Sequence, residues 1–268
     1  MIESFRYIKS DLYKLKHSAF FWLHIICPVC RAGLVLLYSA FATISVENKV
    51  AAFFQILALA YPFVISIICN MVSEQEISAG NCQNILMLPC RRKVINSKLL
   101  ILLSCSLFSV MISSLLFSIL LPVIGIQTKL PLSAFLVPAF VLWGSSILFY
   151  ALHLLLAFRF GRNLCIGIGV LGSLLTALMQ TGLGRGLWYV IPYGITIRLT
   201  ECSLALVMNL SIGINKEIEI AIICNVIMTV VLIAVLIAWF AYSARTAHPF
   251  RRNGAPFRFK LSKAQLVD

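Results

Sequence analysis

Residues Ser73 to Lys98, SEQEISAGNCQNILMLPCRRKVINSK, are the longest polar interruption in the first two-thirds of an otherwise oily chain, and their reading decides the fold. The stretch reads as a loop carrying a short helix. Glu74, Gln75 and Glu76 are expected in the first turn, where carboxylates complement the positive helix end; Pro89 stops the helix, and Arg91, Arg92 and Lys93 follow. A plain solvated loop would use that basic cluster only to set topology. Ile77, Ile85, Leu86 and Leu88 make the insert amphipathic, which gives it a face for a partner.

What surrounds the insert is lipid-soluble. The 268 residues are 61% hydrophobic and 12% charged, with mean hydropathy +0.98. An ordinary soluble domain is about half apolar, so a polytopic membrane protein is expected. The net charge of +13 comes from basic residues lying between apolar runs and not on one aromatic-laced face, which argues against nucleic acid. The nine cysteines fall mostly inside apolar runs or the insert, so no disulfide framework follows.

The opening, MIESFRYIKSDLYKLKHS, is long and mixed in charge, with no small-residue cleavage site after the first oily run, so it is expected to be retained. Ile2, Phe5, Ile8, Leu12, Leu15 and Ala19 recur every three or four positions, which predicts an amphipathic surface helix over residues 1–19. Six spans of roughly 20 residues or more follow: Phe20 to Ile44, Ala51 to Val72, Leu99 to Ile124, Leu132 to Phe158, Leu164 to Thr181 and Ile218 to Tyr242. They make residues 20–242 a six-helix membrane domain.

Orientation follows from basic residues. With both termini cytoplasmic, sixteen Lys and Arg lie inside and five outside, and the insert at 73–98 is then cytoplasmic. Residues 182–217 are too apolar for a plain loop and too broken for a straightforward crossing. Within them GLGRGLWYVIPYG leads into Trp188, Tyr189, Pro192 and Tyr193, aromatics suited to the headgroup level. Thr196 to Asn209 reads as helical, with Arg198 and Glu201 spaced to pair. The segment is expected as a re-entrant or interfacial hairpin at the outer surface. The tail, residues 243–268, is basic with interleaved Phe250, Phe257 and Phe259 and is expected along the inner leaflet.

Several motifs carry no chemistry. Gly167, Gly169 and Gly172 spell GxGxxG inside an apolar span, without the strand and acid a dinucleotide site needs, so close helix packing is expected. Cys27 and Cys30 have redox spacing but no soluble domain around them, and inert buried thiols are expected. The four histidines form no metal motif, no hydrolase set emerges, and the absence of GxxxxGK[ST] means that the chain does not itself bind ATP. Arg31 sits mid-span, where a charge costs several kcal/mol on insertion scales, about 3, so it is expected to face the bundle interior, the substrate path or a partner.

A resemblance adds to this reading. Glu76, Gly80, Asn81, Gln83, Asn84, Leu86, Pro89, Arg91, Arg92 and Lys98 resemble the loop after the second span of ABC-2 type permeases, where a coupling helix sits in a cleft of the ATP-binding subunit. With Asp11, Lys14, Lys16, Ser18, Trp22, His24 and Pro28, and with Trp188 to Tyr193 and Ile197 to Leu199, the chain resembles the permeases of lantibiotic-immunity ABC transporters, and the WxH start is more similar to the second permease than to the first. The resemblance implies an all-α type V exporter-like fold and an ATPase-coupling role for Glu74, Gln75, Glu76, Gly80, Asn81, Gln83, Asn84, Pro89, Arg91 and Arg92. It implies a substrate path or outer hairpin at Arg31, Trp188, Tyr189, Pro192, Arg198 and Glu201. The implied partners are two copies of an ATP-binding subunit that carry the ATP and Mg, a second homologous permease, membrane lipid and a lantibiotic-like peptide, in the cell membrane of a Gram-positive bacterium. The alternatives are a general ABC-2 exporter of lipid, polysaccharide or drug, and a membrane-embedded enzyme or sensor, for which the spans offer mostly Ser, Thr and isolated His.

Overall fold

The computed structural model describes Asp11, Tyr13 and residues 20–78, 91–210 and 216–242. Among these residues the chain is helical with no strand, and six stretches are long and apolar enough to cross a membrane. The helices are α1 (Phe20–Phe41), α2 (Val46–Ser78), α3 (Arg91–Val123), α4 (Ser133–Ser145), α5 (Ile147–Phe160), α6 (Arg162–Gln180), α7 (Pro192–Val207) and α8 (Lys216–Tyr242), with one 3-10 turn at Gly182–Gly184. The six-span all-α membrane fold expected from the sequence is the one observed. The surface helix over 1–19, apart from Asp11 and Tyr13, the centre of the insert (Gly80, Asn81, Gln83, Asn84 and Pro89) and the tail from 243 lie outside the described residues.

Successive spans run antiparallel. The start of α1, the end of α2, the start of α3, Gly161 and the end of α8 therefore gather at one end of the bundle, called here the connection end. The opposite end carries the α1–α2 and α3–α4 links and α7, and is called the hairpin end. Gly161 joins α5 to α6 alone, at φ +85°, a conformation that favours glycine.

The structure moves three expected boundaries. Ser73 to Ser78 are the last turns of α2, and Arg91 to Lys98 open α3, so Glu74, Gln75 and Glu76 do not start a separate helix. No glycine or proline stands between Val72 and Ser78 to stop α2, and the carboxylates, unfavourable at a helix C-terminus, are offset by cations from α3 and α6. The fourth span is broken at Ser146 into α4 and α5. There the Ser145 and Ser146 hydroxyls donate to the carbonyls of Leu142 and Trp143, side-chain bonds that compete with the helix ladder, and Asn225 of α8 donates to the freed Ser145 carbonyl at 3.1 Å. The third change is at α7, which starts at Pro192 and not at Thr196, because proline suits the first helical turn. It ends in a Schellman motif with Asn209 at φ 52° and the Leu210 N–H donating to Ala205 O.

The main apolar cluster is centred on α2, which packs against α1, α5, α6 and α7. Phe53 stacks on Phe117 at 4.3 Å and Phe149 on Tyr193 at 4.8 Å. The glycine spacing of α6 acts by packing: a Cβ on Gly169 would strike Ser66 of α2 and one on Gly172 would strike Tyr193 of α7, whereas Gly167 faces open space. The span of α8 is only 17% buried against 56% for α2, so α8 lies at the rim.

Candidate functional sites at the two ends of the bundle

At the connection end three chain segments meet on Lys98, in the second turn of α3. Its Nζ donates to Glu76 Oε1 at 2.7 Å and to Asp11 Oδ1 at 3.0 Å, and the Ser97 hydroxyl donates to Asp11 Oδ2 at 3.2 Å. Asp11 and Lys98 are 5% exposed and Glu76 is 2% exposed. Charges removed from water to this degree persist only when paired and hydrogen-bonded. The result is a fixed joint between the last turns of α2, the first turns of α3 and the N-terminal segment. Glu74, half exposed, stands 3.9 Å from Arg162 at the start of α6, an exposed pair of little energetic consequence. Gln75 is half-buried and Arg92 is exposed. Arg91 opens α3.

At the hairpin end the centre is Glu201 of α7. Its Oε1 accepts from the Gln55 amide of α2 at 2.8 Å and from the Gln180 amide at the end of α6. Its Oε2 lies 3.6 Å from Arg198, which is the i, i+3 pair expected from the sequence. Arg198 in turn donates to the carbonyls of Met179 and Gln180, each at 3.2 Å, and so closes the C-terminus of α6 with a cation. Burial and the adjacent Glu201 carboxylate push the Cys202 thiol above its ordinary pKa, with Arg198 pulling the other way, so the group stays a thiol at neutral pH.

The aromatics expected at headgroup level sit inside this hairpin. Trp188 packs with Ile195, Leu199, Ile218 and Ala221 and donates from Nε1 to Glu217 Oε2 at 3.1 Å. Tyr189 meets it edge-on at 6.0 Å, and Pro192 opens α7. Trp188 is thus an anchor between α7 and α8 and not an exposed interfacial residue, because its indole finds both an apolar pocket and an acceptor there. Lys49, one of the five basic residues expected outside, is buried and donates to Ser39 O at 2.9 Å near the end of α1.

Arg31 lies halfway along α1. Its Nε donates to Cys27 O at 3.2 Å, while its Nη1 is buried with no hydrogen-bond partner among the described residues, as is the hydroxyl of nearby Tyr61. Cys27 is half-buried and Cys30 exposed on the outer face of α1, so the expectation of buried thiols there is corrected; both are free. Among the described residues no group of three His, Cys, Asp or Glu converges to hold a metal.

Glu76 and the Arg198–Glu201 pair were legible in the sequence, but the contacts with Lys98, Gln55 and Gln180 were not. Lys98 was legible as the start of a span and as part of the permease-like loop, with no sign of its two carboxylate partners. Gln55 and Gln180 carried a usable signal, since each is an amide near the end of an otherwise apolar run.

Comparison with known proteins gives one match. The family model described as ABC-2 family transporter protein matches residues 7–179, well over half of the chain, from the N-terminal segment through α6. No curated protein and no solved structure matches.

Proposed function

This chain belongs to the ABC-2 family of transporter proteins, a multi-pass membrane permease that works with an ATP-binding subunit, and we propose that it exports cationic amphipathic peptides of the lantibiotic type. In this reading the connection end is cytoplasmic, both termini are inside, and two copies of the ATP-binding subunit, carrying ATP and Mg, grip the segment from Glu74 to Arg92. A second homologous permease completes the pore. Closure of the nucleotide-bound dimer pushes on the ends of α2 and α3 and the spans rock. A peptide held at the hairpin end is thereby expelled from the bilayer before it reaches its target.

The observation that carries the coupling role is the buried Asp11–Lys98–Glu76 joint, which ties both flanks of the α2–α3 link to the N-terminal segment. Its support on orientation is the excess of basic residues at that end. Support for peptide cargo is the residue pattern of the opening, the insert and the hairpin. The test is co-purification with neighbouring gene products, followed by survival of a sensitive host on a peptide panel. Resistance to lantibiotic-like peptides that requires the ATPase supports the reading, and resistance confined to small drugs contradicts it.

One observation favours a second reading, export of an anionic lipid, polysaccharide or drug. Arg31 places a cation at mid-depth, and among the described residues no acid lies at that depth. A fixed positive charge facing the path repels a cationic peptide and attracts an anion. An Arg31→Met variant that keeps peptide resistance separates this residue from the path.

A further inference from the structure

We propose that Lys98 is a positioning residue for coupling: it locks the N-terminal segment, through Asp11, to the base of α2, through Glu76, so that displacement of the α2–α3 link is delivered to that segment as well as to the spans. The inference rests on the proposal that the connection end receives the push of the ATP-binding subunit.

Three features separate this joint from the other polar contacts of the chain. It is the place among the described residues where one cation answers two buried carboxylates. Its members come from three segments: Asp11 precedes α1, Glu76 lies in the last turn of α2, and Lys98 lies in the second turn of α3, beyond exposed Arg92. The Ser97 hydroxyl takes the second oxygen of Asp11, so the carboxylate is held by two donors from consecutive residues of α3 and cannot swing independently of that helix. When α3 moves, Asp11 therefore moves with it. A lysine bonded to Glu76 alone would stiffen only the α2–α3 pair.

A staple that merely stabilises the fold and a joint that transmits displacement respond differently to apolar replacement. A buried ion cluster exchanged as a whole for apolar side chains of similar volume is often tolerated, whereas removal of one member leaves an unpaired buried charge. The informative variants are therefore Lys98→Met alone, the triple replacement Asp11→Leu with Glu76→Leu and Lys98→Met, and the conservative Lys98→Arg.

The experiment uses the permease purified with its ATP-binding subunit in nanodiscs. The probe is ATP with orthovanadate, and the readout is the rate of tryptic cleavage at Lys14 and Lys16. Wild type and Lys98→Arg are expected to change that rate on vanadate trapping by at least about 5-fold, the lower end of ordinary coupling between sites. The triple variant is expected to elute as an assembled complex and to lose that response. A triple variant that keeps the wild-type response overturns the inference and leaves the proposed function standing. A wild-type complex with no nucleotide response overturns both.

Discussion

The two ends of the bundle solve the same mechanical problem with different chemistry. Each ties three segments together around one side chain, Lys98 at the connection end and Glu201 at the hairpin end. The connection end uses full charges almost entirely removed from water, whereas the Glu201 cluster is half amide, with the Arg198 and Glu201 side chains 29% and 21% exposed. Desolvation makes the first arrangement intolerant of losing a partner; partial hydration makes the second forgiving. The contrast is between a dry, rigid joint at the connection end and a more hydrated seat for the hairpin.

The largest expected effect comes from breaking the connection end. Lys98→Met leaves two buried carboxylates without their shared cation and is expected to cost about 3–5 kcal/mol, read as a lowered melting temperature of the detergent-purified chain. An unchanged melting temperature would erase the contrast. At the hairpin seat, Gly172→Ala drives a methyl into Tyr193 and is expected to cost about 1–3 kcal/mol as overpacking. Gly167→Ala, on the same helix with open space around it, is expected to be neutral or to stabilise by up to about 1 kcal/mol, so the pair of variants isolates packing from helix propensity.

Glu201→Gln keeps the shape but removes the charge that Gln55, Gln180 and Arg198 share. It is expected to cost about 1–2 kcal/mol, near the range for hydrogen bonds to a charged group, well below the Lys98 effect. Equal losses at the two ends would mean that exposure does not set the difference. The smallest effect is at the break in the fourth span, where Asn225→Leu removes one interhelical bond to Ser145 O and is expected to cost about 0.6 kcal/mol, at the edge of what thermal unfolding resolves.

Much of the architecture was legible because lipid imposes one strong rule, that each crossing be long, apolar and helical. The ends of the spans were harder to read. Ser73 to Ser78 look polar and so read as loop, but α2 continues through them because Lys98 and Arg162 answer its acidic face from elsewhere in the chain. A single sequence shows Lys98 and Asp11 87 residues apart and gives no sign that they touch. Arg198 and Glu201 were readable because their pairing is local to one helix, whereas Gln55 and Gln180 reach Glu201 only through the packing of α2 and α6 against α7. The break at Ser146 was hard to read because only Gly144, Ser145 and Ser146 interrupt an apolar run, and serine hydroxyls can satisfy themselves on the preceding turn.

The account stands or falls on where the ATP-binding subunit holds the chain. A photoreactive residue placed at exposed Arg92, in the first turn of α3, is predicted to crosslink to that subunit in membranes, while the same residue at exposed Leu187 of the hairpin is not. A crosslink from position 187 with none from position 92 would contradict it.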